Sequence, residues 1–466
     1  MKKTLHSLKD INKIHMIGIG GISMSAIALV LKKYGYIITG SDKSEGDMIN
    51  VLEENGIPVF IGSNAELVKD ADVVVYTSAI NQHDPEFVRA KSLNIPTYER
   101  AQFLGLLLQC YEKPICICGT HGKTTTTSML SKIFIDAGLD PNVQVGSKFK
   151  ALNDLNYRIG ESEYFILESC EYVDSFLNFP HHTATVLNID EDHLDYFSGI
   201  EEIKSSFKKF ILMLPKDGIL VINHDDINCM SVLEEVRKDL EKKNVKIYTF
   251  SLSEPQADVY AKNISCNIKG FYSFDIVYKN EIQKFYLTVP GIHNVYDAIA
   301  AITTSLAHGV KLEDMEKSLN EFCGAKRRFE YKKTLENNVL VYDDYAHHPT
   351  EIKATLSAAK QKEHNRIISV FQPHTYSRTK ELFDDFATSF SNSDIAIFAD
   401  IYAAREIDDG TVSSKMLTDK VNENGTKALY LPTFEEIANY LKENTKPNDI
   451  ILTIGAGNIT HLSDML

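Results

Sequence analysis

The stretch PICICGTHGKTTTTS, residues 114–128, decides how the chain folds. Its apolar run, 115–118, reads as a buried strand. Gly119, Gly122 and Lys123 then make a turn, and four threonines lead into an apolar-periodic segment that reads as a helix. A glycine turn between strand and helix leaves backbone N–H groups unpaired, and the helix N-terminus adds partial positive charge, so phosphate fits there. Wrapped by residues Gly119, Thr120, His121, Gly122, Lys123, Thr124 and Thr125, a nucleotide would meet Lys123 at its outer phosphates, and the Thr124 hydroxyl would hold Mg2+. The spacing GxxxxGK(S/T) calls for glycine where Ile117 stands, and Gly119 comes two residues later, so this is a variant P-loop. A tight turn with a chance lysine is the competing reading, but it leaves the coincidence of glycines, lysine and threonines unexplained.

Working outward, 466 residues correspond to about three domains at ~150 residues each. With 44% hydrophobic residues each can bury a core, and a net charge of −15 argues against a nucleic-acid or anionic-membrane surface. The seven cysteines are scattered, and Cys116 and Cys118 lack a second pair at zinc spacing, so they read as buried reduced thiols. No segment approaches 18 uninterrupted apolar residues, and the expected compartment is the cytoplasm. Residues 13–105 alternate strands and short helices, which predicts a parallel doubly wound sheet. A second unit opens at Pro114, with β-hairpins over 257–288 and a helix over 294–308. A charged joint, GAKRRFEYKK (324–333), leads to a third α/β unit with helices over 349–362, 378–390 and 434–443. The reading is an α/β protein of three domains: an N-terminal Rossmann-like parallel sheet (1–108), a central P-loop-type ATPase domain (109–327) and a C-terminal Rossmann-like domain (328–466).

In IGIGGISMS, Gly18, Gly20 and Gly21 stand between strand and helix, with Ser23 where a dinucleotide fingerprint has its third glycine. Asp42 ends the second strand, where an acid commonly meets ribose hydroxyls. NAD and another diphosphate, such as a UDP-sugar, fit equally. A turn serving helix–sheet packing alone is the bland alternative.

Ligands of open α/β sheets gather at the carboxyl ends of strands. Glu168 ends one apolar strand, and the 190–193 segment of NIDEDHLDYF follows another. Beside the P-loop threonine, Glu168 and His193 could hold Mg2+, which takes one or two protein carboxylates plus phosphate oxygens. A solvated strand end for Glu168 and a helix-capping role for His193 compete. Asn294 opens a helix where its amide could meet base or ribose. Arg327 and Arg328 lie in the joint, suited to gripping phosphate on domain closure. Asp344, Tyr345 and His347 follow one strand of the third unit, and His374 and Arg378 follow another.

GTHGKTTTT, ESCEYVDSF, NIDEDHLDYF, GIHNVYDAIAA, RRFE, DDYAHHPTE and QPHTYSRT occur in this order, and the chain resembles the Mur ligase family essentially end to end. The resemblance, strongest to alanine-adding members, implies ATP-dependent joining of L-alanine to UDP-N-acetylmuramate in peptidoglycan precursor synthesis, with ATP and Mg2+ as cofactors. The chain would be a monomer or weak homodimer. A recycling ligase adding a tripeptide to the same UDP-sugar is the alternative. The resemblance implies that Gly18, Gly20, Gly21, Ser41, Asp42, Thr77 and Ser78 hold the UDP-substrate. It places Lys123 on the β/γ phosphates and Thr124, Glu168 and His193 on Mg2+. Asn294, Arg328 and Asp344 would serve nucleotide binding and closure, and Tyr345, His347, His374 and Arg378 the alanine pocket. Lys123, Glu168, His193, Arg328 and His347 would form the catalytic set, with His347 accepting the proton of the attacking amine. Three positions depart from the family. Phe207 stands where other members carry a carbamylated lysine. Asp297 replaces the second Asn of HNxxNA, and Thr375 replaces an arginine, leaving the alanine carboxylate to Arg378.

Overall fold

The computed structural model describes residues 11–77, 79–194, 196–404 and 406–466; Ser78 lies outside the described residues. Three sheets carry the fold. The first is five-stranded, in the order Val59–Ile61, Ile37–Asp42, Lys13–Ile17, Val73–Tyr76, Thr97–Glu99, and wholly parallel. Its strand Lys13–Ile17 is buried from Ile14 onward. The chain then turns through Gly18 (φ 76°) into helix Ile22–Lys33, which buries eight consecutive residues from Met24 to Leu31. A helix buried at successive residues is covered on more than one side, and Gln144 and Asn156 of the second unit reach its first turn.

The second sheet has ten strands. Seven run parallel: Val259–Cys266, Lys246–Ser251, Ile219–Asn223, Thr183–Val186, Lys113–Cys118, Tyr164–Glu168 and Asn142–Phe149. Phe271–Tyr278 and Glu281–Pro290 extend one edge antiparallel, in the predicted hairpin region, and Leu155–Arg158 caps the other edge. The P-loop strand Lys113–Cys118 sits between Thr183–Val186 and Tyr164–Glu168. Glu168 and the segment after Val186 therefore emerge on either side of the phosphate turn. The third sheet runs Glu330–Leu335, Val339–Asp344, Ile450–Ile454, Ile367–Phe371, Ile395–Phe398, Ala428–Tyr430, and only its first strand is antiparallel.

One apolar cluster runs from the first sheet through helix Arg100–Leu108 (Phe103, Leu104, Leu107) to Phe176, Phe207 and Phe210 on helical segments that pack on the second sheet. The third sheet packs its own clusters on its two faces, around Phe371 and Phe386 on one and Val370 and Ile437 on the other. The single helix predicted over 378–390 is two short ones, Tyr376–Glu381 and Phe383–Ala387. Leu382 between them turns out of the helical region at φ −104°, ψ 24°.

Candidate active site

Gly122 caps helix Lys123–Asp136 from the left-handed region (φ 84°), and Gly119 stands at φ 140°. A Cβ on Gly122 would meet Asp297 Oδ1 at 2.4 Å, so a side chain there is excluded by space as well as by backbone. The turn opens the N-terminus of a fourteen-residue helix to an anion.

Lys123 is folded onto this turn. Its Nζ donates to the carbonyls of Gly119 (2.5 Å) and Thr120 (2.9 Å) and pairs with Glu171 at 3.1 Å. Burial opposes its charge, but Glu171 and nearby Glu168 outweigh burial, and the ammonium titrates above the ordinary lysine range. The Thr124 hydroxyl donates to Glu168 Oε1 (2.8 Å) and accepts from Arg328 Nη2 (3.1 Å). Glu168 Oε2 accepts from the Gly146 N–H at 2.6 Å. One hydroxyl thus joins the phosphate helix, the strand-end acid and the arginine of the joint.

Thr124 and Glu168 present oxygens side by side at a phosphate turn, a donor set that fits a hard cation completed by phosphate oxygens. His193 stands at φ 56°, its ring stacked on Tyr172 (centroids 4.6 Å) and Nε2 3.7 Å from Asp192. Burial holds it below the ordinary histidine value. Among the described residues no group of three or more His, Cys, Asp or Glu forms a metal-holding cluster.

A cavity of ≈ 540 Å³ opens beside the turn, lined by His121, Gly122, Thr125, Asn294, Arg328 and Asp344 among others. Asn294 is anchored there, its Nδ2 donating to Pro290 O at 2.7 Å. Asp344 accepts from the N–H groups of Phe329 (2.9 Å) and Ala346 (2.8 Å), bracing the joint, and burial raises its carboxyl to about 6. Asp297 also lines this cavity. It accepts from Thr126 Oγ1 at 3.2 Å, and burial pushes it up to about 7. His121 lies between Asp190 (3.4 Å) and Glu351 (3.5 Å). Burial opposes its charge, but these two acids raise it to about 9, so it is cationic at neutral pH. The ring nitrogens meet the distance of an ion pair without hydrogen-bond alignment.

A second cavity, ≈ 460 Å³, brings together Tyr345, His347, His374, Thr375 and Arg378 of the third unit with His193 of the second. Arg378 Nη2 is 3.4 Å from Asp192 Oδ1. His347 Nδ1 lies 3.1 Å from Tyr345 O and 3.3 Å from Glu351 Oε2, and burial lowers it to about 4, leaving it neutral at pH 7. The guanidinium groups of Arg327 and Arg328 lie 4.9 and 5.2 Å from the Tyr345 ring centre.

The third cleft, ≈ 680 Å³, is lined by Gly18, Gly20, Gly21, Ser41, Asp42 and Thr77, with Lys43 and Lys148. Two of these side chains are turned to internal tasks. Asp42 Oδ2 accepts from the Gly20 N–H (2.8 Å), so it braces the glycine turn. The Ser41 hydroxyl donates to buried Glu86 at 2.6 Å. Phe207 is fully buried against Phe176, ring centres 5.3 Å apart, and belongs to the core. Cys116 is buried, and burial pushes its thiol up to about 12, in keeping with an inert thiol.

Sequence reasoning passed over Glu171, Glu351 and Lys148, and placed Asp192 at the site edge only as part of the 190–193 segment. Glu171 is the second acid of ESCEYVDSF, and Glu351 closes a capping box with His348 at the start of helix Pro349–Lys360, so a signal existed for both. Lys148 carries no local signal.

A phosphate turn with a nucleotide-sized cavity beside it, in a chain built on three α/β sheets, is the arrangement of a nucleotide-using enzyme. Residues 13–111 match the Mur ligase family catalytic domain, 117–305 the Mur ligase middle domain and 327–457 the Mur ligase glutamate ligase domain. The chain belongs to the Mur ligase family. It is 47% identical over 463 residues to UDP-N-acetylmuramate–L-alanine ligase of Acetivibrio thermocellus, covering 98% of this chain and 97% of the relative. It is 49% identical over 461 residues to the ligase of the same description from Clostridium novyi, covering 98% of each. The crystal structure of UDP-N-acetylmuramate-alanine ligase from Thermotoga maritima superposes with a TM-score of 0.81 at 27% identity, covering 97% of both chains. A murein peptide ligase from Psychrobacter arcticus shares the fold, with a TM-score of 0.71 at 23% identity over 97% of both chains.

Proposed function

We propose that this chain joins L-alanine to UDP-N-acetylmuramate at the expense of ATP, giving UDP-N-acetylmuramoyl-L-alanine, ADP and phosphate. The observation that carries the reading is the hydrogen-bonded junction of Arg328, Thr124 and Glu168, with a nucleotide-sized cavity beside it and clefts of two neighbouring units close by. In this reading residues 1–108 bind the UDP-sugar, 109–327 bind ATP and 328–466 bind the amino acid.

The sugar carboxylate attacks the γ-phosphorus and ADP leaves, forming an acyl phosphate. Both reactants are anions that repel at short range. Thr124, Glu168 and His193 would hold Mg2+, which would supply countercharge. Lys123 exchanges Glu171 for the β/γ phosphates, and Arg328 holds the transferring group. Arg378 holds the alanine carboxylate. The amine attacks the acyl carbon, phosphate leaves, and neutral His347 takes the amine proton; burial makes it a weak base, matched to the acidic ammonium that forms. Closure of the third unit keeps water from the acyl phosphate.

The chain would work in the cytoplasm, where ATP is available, as a monomer or weak homodimer. No helix of the described residues is long and apolar enough to cross a membrane. A tripeptide-adding recycling ligase is the second reading, favoured only by the fold shared with the murein peptide ligase. Product formation from UDP-N-acetylmuramate and ATP with L-alanine, against the same mixture with an L-Ala-γ-D-Glu-diamino-acid tripeptide, separates them. Turnover with tripeptide and none with alanine would overturn the alanine assignment.

A further inference from the structure

The strand Asn142–Phe149 belongs to the central sheet, yet only Asn142, Val143 and Gln144 pair with the neighbouring strand Tyr164–Glu168. On its other side the register breaks between Gln144 and Phe149. Every residue of the departing segment is tied elsewhere. Gln144 Nε2 donates to Ser23 Oγ at 2.5 Å, and Asn156 Nδ2 of the adjoining strand donates to Ile22 O at 2.9 Å. Both acceptors lie in the first turn of the helix that follows the N-terminal glycine turn. Gly146 N–H is held by Glu168, and the Ser147 hydroxyl by Lys326 O at 2.8 Å. The Lys148 carbonyl accepts from Lys326 N–H at 2.9 Å.

These contacts hold the Lys148 backbone at the ≈ 680 Å³ cleft, which Lys148 helps to line. The ammonium has no hydrogen-bond or ion-pair partner among the described residues. The other walls come from the first sheet, including its glycine turn. The cleft carries Asp42, Glu45, Asp47 and Asp84. Two of these are spent on backbone N–H groups, Asp42 on Gly20 and Asp84 on Glu86 and Phe87. An acidic cleft binds a diphosphate only where cations offset its own field, and Lys43 and Lys148 are the lysines that line it.

We propose that Lys148 is a diphosphate-binding residue which the central unit lends to the UDP-sugar cleft, so that the site is built from two units rather than one. The inference rests on reading this cleft as the UDP-sugar site. It places the cation at the diphosphate, where the glycine turn is, and not at the sugar carboxylate.

The test compares Lys148→Met and Lys148→Arg with wild type, titrating UDP itself by calorimetry at two salt concentrations and measuring steady-state kinetics. For Lys148→Met the expected result is a Kd for UDP raised about tenfold, as for loss of one charge-assisted contact, with a shallower salt dependence. The KM for UDP-N-acetylmuramate should follow it, and the KM values for ATP and L-alanine should stay within about twofold. Lys148→Arg should restore most of the affinity. Unchanged UDP binding in Lys148→Met overturns the proposal, and so does UDP-N-acetylmuramate binding that weakens while UDP binding does not, because the cation then serves the carboxylate. A wild type that binds UDP in a Lys148-dependent way but forms no ligation product would instead refute the ligase reading and leave this one standing. Retained ATP affinity in each variant shows that it is folded.

Discussion

Arg378→Ala should raise the KM for L-alanine by about one to two orders of magnitude. Arg378 is largely buried, with 14% of its side chain exposed, and it faces Asp192, which is 8% exposed. Removing one partner of a buried, hydrogen-bonded charge pair costs about 2–5 kcal/mol. The full range does not apply here. The alanine carboxylate competes for a guanidinium that Asp192 already engages, so the net exchange is smaller, about 1.5–3 kcal/mol, as for a hydrogen bond to a charged group. At about 1.4 kcal/mol per tenfold this is roughly 10- to 150-fold. Thr375 brings no charge that could substitute. Initial rates against L-alanine at saturating ATP and UDP-N-acetylmuramate measure the effect. Arg378→Lys should recover only part of it, since an ammonium lacks the planar fork. A shift below threefold in the alanine KM, or a larger shift in the ATP KM, would refute the assignment.

Lys123→Ala should lower kcat by roughly 10²-fold or more, measured at saturating ATP; more than a tenth of wild-type turnover would exclude Lys123 from the phosphoryl step. Glu168→Ala should raise the Mg2+ concentration needed for half-maximal rate. His193→Ala should do so as well; a Mg2+ titration unchanged in both would remove the ion from this site. Asp297 is neutral below about pH 7 and anionic above it. Beside a triphosphate the anion is unfavourable, so ATP affinity should fall as pH rises through 7, by at most tenfold per unit for one proton. Asp297→Asn should flatten that dependence, and an identical KM–pH profile for the two proteins would show that Asp297 does not face the nucleotide.

The phosphate turn was legible because its determinants are local: a strand, two glycines and a helix start lie within a dozen residues. Strand ends were legible for the same reason, which brought in Glu168, Asp344 and Arg378. Lys148 was not, nor was the pairing of Asp192 with Arg378, because nothing near them in sequence says which unit they will face. Glu171 was visible as an acid, but its pairing with Lys123 depends on the neighbouring strand placing it at the turn. The break at Leu382 is likewise tertiary. The periodicity over 378–390 is helical throughout, yet Thr375 caps Tyr376–Glu381, and Leu382 packs back onto the third sheet's core. Asp42 shows a tertiary contact that its own strand did not announce: it lines the cleft, as its strand-end position suggested, and also accepts from the N–H of Gly20, 22 residues earlier.

The apolar cluster that runs unbroken from the first sheet into the second, while the third sheet packs on its own, divides the molecule by cooperativity rather than by sequence. The first two units should share one melting event, since neither can lose its packing without exposing the other. The third, with a core of its own that only Leu194 of the central unit edges, should melt separately. Its interior can also be rebuilt, and its pocket reshaped for a bulkier amine, while the machinery that activates the carboxylate stays in place. An acceptor module with a private core is an interchangeable part.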